Sequence, residues 1–309
     1  MLDETVVTLS CDIATPRDFS LFSTLSYLSR APGIVFETVS AEHFRKAVYL
    51  QDSDRAAILS VSETPNQQGL RVELHGMSLS HLDLAKVRER IVECFYVFSP
   101  PDGLLDLFSR DEAVGLLHER YGLVRPFLYY EPYESLLWAI AAQQVNVGFA
   151  RTLLLRLHEV SGGATLQFEG KDYLLTPRPG DVASLSIDVL REAQFSGTKA
   201  RGLVEISKAL VSKQLDFAVL KKLDYDAAMA SLTRYYGVGR WTAEYVLLRG
   251  LGFEDVFPSG DLGLKKAVAS LYALGSPLVE ENIRNISYGW SPYRGWISQL
   301  LFYHINVDA

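Results

Sequence analysis

Gly237-Val238-Gly239 sets two glycines one residue apart, between a helical pattern over Tyr225 to Tyr235 and another over Thr242 to Leu251. Glycines at that spacing adopt backbone conformations closed to other residues. They also leave amide N–H groups exposed where the next helix begins, a nest that binds an anion without sequence preference. Thr242 is placed to help cap that start. Read locally, the segment also fits a helix–turn–helix corner that merely packs. Further on, Asp261 opens another helical run within Pro258-Ser259-Gly260-Asp261-Leu262. The commonest task of an aspartate there is the N-cap, and a capping carboxylate can also hold a charge against a reacting group. Trp241 and Tyr245 lie four residues apart, on one face of the helix between these features. Aromatics at that spacing pack a core or offer a stacking face.

Other chemistries find little support. Cys11 and Cys94 are the two cysteines, too few for a zinc site or an iron–sulfur cluster. They give no disulfide framework, so a reducing cytosol is the expected compartment. His43, His75, His81, His118, His158 and His304 are scattered without ligand spacing. Met1-Leu2-Asp3-Glu4-Thr5 has neither the basic region nor the apolar core of a signal peptide, and no apolar run is long enough to span a bilayer. The chain of 309 residues is 48% hydrophobic and 22% charged, ordinary for a protein with a sizeable core. Its net charge of −7 argues against non-specific nucleic-acid binding, unless a basic face is local or helix N-termini hold the phosphate.

The elements that must position these residues divide in two. Val6 to Ser10 reads as a strand and Phe19 to Ser29 as a helix. Phe36 to Val39, Phe44 to Leu50, Ala57 to Ser62 and Leu70 to Leu74 alternate like half-buried strands. Asp52-Ser53-Asp54 and Pro65-Asn66-Gln67-Gln68-Gly69 supply turns between them. Leu82 to Phe95 is helical. This order predicts an α+β domain with an antiparallel sheet over 1–103, closed by the breaker cluster Ser99-Pro100-Pro101-Asp102-Gly103. Residues 104–309 are expected to be mostly helical. Periodic runs cover 104–109, 111–120, 132–148 and onward to 160, 187–194, 198–213, 217–223, 225–235, 242–251, 262–272 and 293–304. Ser186 is expected to cap one of them. Gly162 to Pro179 is β-like, an insertion or hairpin between helices.

Helix, Gly-Val-Gly, Arg240-Trp241-Thr242-Ala243, helix, a Gly-x-Glu-Asp-Val-Phe-Pro loop and then Asp261 strongly resemble the helix–hairpin–helix (HhH-GPD) DNA glycosylase superfamily, with its Gly/Pro-rich loop and essential aspartate. Within it the likeness is to the AlkA-type 3-methyladenine DNA glycosylase II branch. It extends to the N-terminal α+β domain and to the segments Ala141 to Val145, Phe195 to Ala200 and Tyr288 to Arg294. The resemblance implies a two-lobed helical domain with the active-site cleft between its lobes. It makes Asp261 the catalytic carboxylate and Trp241, Tyr245 and Trp290 the base pocket. Gln144 becomes the wedge that fills the gap left by a flipped base, with Gln143 as a structural brace. DNA backbone contacts fall to Gly237, Gly239, Arg240, Thr242, Lys199, Lys265 and Lys266. The carbonyls of Thr233, Tyr235 and Val238 would hold a monovalent cation, Na⁺ or K⁺, and no other cofactor is expected.

Aromatic faces attract an electron-poor alkylated purine, at about 0.5–2 kcal/mol per contact. Leu262 stands where related enzymes often carry an aromatic, which widens the cleft or makes it more apolar on that side. Bifunctional members place a lysine at position 241, which forms a Schiff base and leads to strand cleavage. Trp241 stands there, and no lysine lies between Gly237 and Asp261. The expected activity is therefore hydrolytic release of alkylated purines of the 3-methyladenine and 7-methylguanine type from double-stranded DNA, leaving an abasic site. The expected enzyme is a cytoplasmic, nucleoid-associated monomer. An oxidised-guanine glycosylase/lyase is disfavoured by the missing lysine, and a non-catalytic damage-binding protein by Asp261.

Overall fold

The computed structural model describes residues 6–31, 33, 35–50, 54–65, 69–275, 277 and 279–307. Met1 to Thr5 and the turn residues Asp52-Ser53 and Asn66-Gln67-Gln68 lie outside the described residues. The N-terminal part runs β1 (Val7–Ala14), α1 (Leu21–Leu28), β2 (Glu37–Val39), β3 (His43–Tyr49), β4 (Ala56–Glu63), β5 (Gly69–Gly76) and α2 (His81–Cys94). The strands form one antiparallel sheet in the order β1-β5-β4-β3-β2, with Phe44 opposite Val61 and Val61 opposite Val72. Strand side chains alternate between faces. Phe44, Val48, Ala57, Leu59, Val61, Leu70, Val72 and Leu74 therefore fill one buried face. This is the α+β architecture expected from the alternation in the sequence.

The remainder is helical: α3 (Leu104–Arg110), α4 (Glu112–Tyr121), α5 (Pro132–Ala142), α6 (Val147–Val160), α7 (Pro179–Ala183), α8 (Ile187–Glu192), α9 (Gly197–Val211), α10 (Phe217–Leu220), α11 (Tyr225–Thr233), α12 (Arg240–Arg249), α13 (Leu262–Leu271), α14 (Glu280–Tyr288) and α15 (Arg294–Val307). The expected hairpin is present as β6 (Thr165–Phe168) and β7 (Lys171–Leu174). It lies on the outer face of the large sheet, where Phe168 stacks on His75 at 4.4 Å and Tyr173 and Leu175 pack on Ala47 and Ile58. Ser186 caps α8 through Val189 N, as its position predicts.

Two differences from the periodic reading bear on the site. The run over 132–160 is broken between α5 and α6, because Gln144 turns the chain at φ +53° and Asn146 starts a new helix by capping Phe149 N. The chain division at 99–103 is also not a division of the core. The inner face of the sheet shares one core with α3, α4, α13 and α15, through Phe95, Leu104, Val114, Leu264, Ile297 and Leu301. A second core is built by α5 to α12 around Leu136, Leu153, Leu203, Val246 and Leu247.

Polar contacts lock the two bodies together. The Lys46 ammonium, on the buried side of β3, lies 2.8 Å from Glu37 and 2.9 Å from Glu134 on α5. All three are buried, so each charge depends on the others for its partner. Trp290 is fully buried in the first core, against Phe257 at 5.1 Å. Its indole N–H donates to Asp111 Oδ2 at 3.0 Å, and Tyr272 donates its hydroxyl to the same oxygen. Trp290 is therefore a core residue, which corrects its expected place in the base pocket. Trp290→Ala should lower the unfolding free energy by about 3–5 kcal/mol, the range for deleting a buried aromatic. Urea denaturation checks this, and a change below about 1 kcal/mol would contradict the packing described.

Candidate active site

A cleft of about 1140 Å³ separates the two cores. One wall is the hairpin. Helix α11 ends at Thr233, Gly237 turns the chain at φ +76°, and Gly239 is the N-cap of α12. No side chain caps α12, so its first amides stay open. The turn sits close against α9: a Cβ on Gly202 would stand 2.7 Å from the Tyr236 carbonyl oxygen. Gln143, at the end of α5, donates both to the Gly237 carbonyl and to Thr242 Oγ1, each at 2.9 Å. It is the brace its position suggested. Gln144 is exposed and lines the cleft beside it.

Asp261 faces the hairpin from the loop that leads into α13. Its Oδ1 accepts from Gly263 N at 2.9 Å and Leu264 N at 3.1 Å, which makes it the cap of that helix. Its Oδ2 accepts from the Trp241 indole N–H at 3.2 Å. One carboxylate thus caps a helix with one oxygen and turns the other into the cleft. Burial pushes the Asp261 carboxyl above its ordinary value, against the opposing pull of the Leu264 amide, the Trp241 indole and the Gly263 amide. The Trp241 ring lies 5.7 Å from Tyr245, one turn further along α12, and both line the cleft. Leu262, next to Asp261, is 70% exposed at the same cleft.

Residues 137–292 match the family described as HhH-GPD superfamily base excision DNA repair protein. The chain belongs to this superfamily. It is 26% identical over 296 residues to the DNA-3-methyladenine glycosylase of Bacillus subtilis, covering 94% of each chain. It is 26% identical to DNA-3-methyladenine glycosylase 2 of Escherichia coli, over 72% of this chain and 76% of that one. The solved 3-methyladenine DNA-glycosylase from Archaeoglobus fulgidus superposes with a TM-score of 0.80 at 25% identity, over 97% of this chain and 99% of the other.

Within the superfamily fold, two expected phosphate contacts lie elsewhere. Lys199 is buried and its ammonium donates to the Ala141 carbonyl at 2.8 Å, tying α9 to the end of α5. Thr242 is 2% exposed and its hydroxyl receives Gln143, so it braces the hairpin and neither caps α12 nor reaches bulk solvent. Arg240 is on the cleft, half-exposed, with its guanidinium 3.1 Å from Glu244. Lys265 and Lys266 sit on α13 outside the cleft lining. Thr233, Tyr235 and Val238 all line the cleft at the hairpin, where the Tyr235 carbonyl already accepts Val238 N at 3.1 Å.

The opposite wall was not foreseen. Tyr27, Ala31 and Gly33 from the N-terminal part face the cleft, with Tyr129, Trp138, Arg249 and Phe302. A Cβ on Gly33 would fall 1.9 Å from the Tyr129 hydroxyl, so only glycine lets the N-terminal part approach so closely. No local pattern marks these positions, because they meet only after the two cores have packed. The charged residues lining the cleft are Arg30, Arg151, Arg240, Arg249 and Asp261, a local positive balance on a chain of net charge −7.

A raised folded-state pKa means that the ionised Asp261 carboxylate costs stability. The cost grows as pH rises from the unfolded value near 3.9 through the folded one, and is complete above it. Asp261→Asn keeps an oxygen to cap α13 and carries no charge. It should be at least as stable as the wild type at neutral pH, with the difference vanishing near about pH 3. Urea unfolding at the two pH values checks this; a variant less stable at neutral pH by about 1 kcal/mol or more would mean that the charge itself holds the fold.

Proposed function

We propose that this chain is a monofunctional DNA glycosylase that excises alkylated purines from duplex DNA by hydrolysis. The observation that carries the reading is the Asp261 carboxylate, held at 3.2 Å by the Trp241 indole and facing the open amides of the hairpin across one cleft. Breaking the bond from C1′ to the base leaves the electron pair on the base and positive charge on the sugar. A fixed carboxylate beside that sugar stabilises the charge and orients or deprotonates the water that attacks C1′. Trp241 and Tyr245 offer an aromatic face to an electron-poor purine. The superfamily membership and the names of the relatives agree with this substrate class.

DNA backbone binding is assigned to the amides at Gly237 and Gly239 and to Arg240, with Lys265 and Lys266 further along the surface. The Thr233, Tyr235 and Val238 carbonyls would hold a monovalent cation that steadies the turn. Gln144 is assigned as the wedge. Its left-handed backbone at φ +53° and exposed side chain suit a residue that leaves its own helix to enter the duplex. The protein would act as a monomer in the cytoplasm; no described helix is long and apolar enough to cross a membrane.

Release of 7-methylguanine and 3-methyladenine from alkylated DNA tests the reading. Asp261→Asn should lower the single-turnover rate by roughly 10²–10³-fold, the scale of losing one preorganised electrostatic contact. No release by the wild type overturns the proposal. The product strand should stay intact until heated in alkali, and borohydride should trap no covalent adduct. A trapped adduct would identify an amine nucleophile and exclude the hydrolytic route. Gln144→Ala should cost roughly tenfold on duplex substrate and little on the same lesion in an unpaired bubble, where no gap needs filling. Equal losses on both would remove Gln144 from the wedge role.

A further inference from the structure

Arg249 is a fully buried guanidinium that lines the cleft, and no carboxylate among the described residues pairs with it. Its surroundings are neutral. It donates to Gln299 and to the Tyr245 hydroxyl, and the rings of Tyr27, Tyr129 and Phe302 lie 5.5, 5.9 and 6.0 Å from it. An unpaired buried charge is costly, so its persistence at a cleft asks for a use. Its place on α12 suggests one. Trp241, Tyr245 and Arg249 fall at i, i+4 and i+8, on one face, over a rise of about 12 Å. Helix side chains lean back toward the N-terminus, so Arg249 leans toward Tyr245. Asp261 is bonded to Trp241 at the opposite end of this row. The row is therefore negative at one end, aromatic in the middle and positive at the other.

We propose that Arg249 sets the preference for the charge of the departing base; this rests on the reading of the cleft as a base-excision site. A base stacked on the aromatic row would have its sugar toward Asp261 and its far edge toward Arg249. When the glycosidic bond breaks, the electron pair passes to the base nitrogen, and water supplies the hydroxyl at C1′ while its proton goes to solvent by way of Asp261. A cationic alkylpurine leaves as a neutral molecule and gains nothing from a nearby cation. A neutral purine leaves as an anion unless it is protonated. The titratable groups lining the cleft among the described residues are arginines, tyrosines and Asp261. Burial pushes the Tyr245 hydroxyl up to about 12, and that of Tyr129 well above its usual range, so neither readily gives up a proton. The fixed positive charge of Arg249, at the end of the row opposite Asp261, would stabilise an anionic leaving base, and a 6-oxo edge is the acceptor it would draw. The same charge disfavours binding of cationic lesions, so its removal should not slow their release.

The test compares single-turnover release of hypoxanthine, a neutral 6-oxopurine, with release of 7-methylguanine by wild type, Arg249→Gln and Arg249→Lys. The Gln variant should lose at least tenfold on hypoxanthine and keep or gain rate on 7-methylguanine, and the Lys variant should keep most of both. Equal loss on both substrates makes Arg249 a scaffold residue and overturns the proposal, as does wild-type release of 7-methylguanine without hypoxanthine. Release of neither by the wild type overturns the excision reading itself. If the variants do not fold, wild-type protein decides the matter. Free urate, an anion at neutral pH, should inhibit 7-methylguanine release at a concentration at least tenfold below that of free neutral 7-methylguanine. The reverse order removes the anion preference.

Discussion

The two cores meet at a carboxylate, Asp261, placed where burial opposes its charge. Asp261 is held by two amides at the head of α13 and by the Trp241 indole from α12. Those three donors come from the two sides of the cleft, so the carboxylate also couples the two cores at their line of contact. Removing water from around it raises the energy of the ionised form, and the donors offset part of that cost. The residual tension is what a group needs if it is to respond strongly to a positive charge appearing next to it. A fully solvated aspartate would be stable and ineffective, because water would screen it. The opposing cores and the indole between them create a site where a single charge acts over a short distance.

Much of the hairpin's precision comes from residues outside the turn itself. Gln143 reaches from α5 to the Gly237 carbonyl and the Thr242 hydroxyl. Lys199 ties the end of α5 to α9, and Gly202 lets α9 lie directly against the turn. Together they fix the open amides of α12 relative to Trp241, hence relative to Asp261. The lysine shows how a basic residue near a glycine turn can be misread. Its ammonium satisfies a helix-end carbonyl, and burying it there needs that partner.

The strands, most of the helices and the hairpin were legible in the sequence because each rests on local rules: alternation, a period of 3.6, and glycine at a turn; α7 and α14 fell outside the expected helical runs. The Asp261 cap was legible for the same reason, and the catalytic role proposed for it came from resemblance. Trp290 was misplaced because an aromatic near a family segment looks the same whether it faces a cleft or a core. Its indole N–H found Tyr272, 18 residues away, and Asp111, 179 residues away, a contact that no spacing reveals. The break between α5 and α6 was blurred for a different reason. The apolar period carries through Gln143 to Asn146, and only the positive φ at Gln144 and the cap by Asn146 interrupt it. The far wall of the cleft, with Tyr27, Gly33 and Tyr129, depends on the packing of one core against the other and has no local signature.

That wall also answers the objection raised by overall charge. An acidic chain repels DNA at long range, and at moderate salt this repulsion fades within about 10 Å. Inside that distance the local balance governs, and the charged residues lining the cleft are Arg30, Arg151, Arg240, Arg249 and Asp261, with Arg240 paired to Glu244. The arrangement favours contact at the cleft over contact elsewhere on the surface. Orientation is then chosen by repulsion from the rest of the molecule as much as by attraction to the site. Excess negative charge and a local positive cleft are therefore parts of one device. Under the proposed function, it would weaken non-specific association while leaving the cleft open to a phosphate backbone at the hairpin amides.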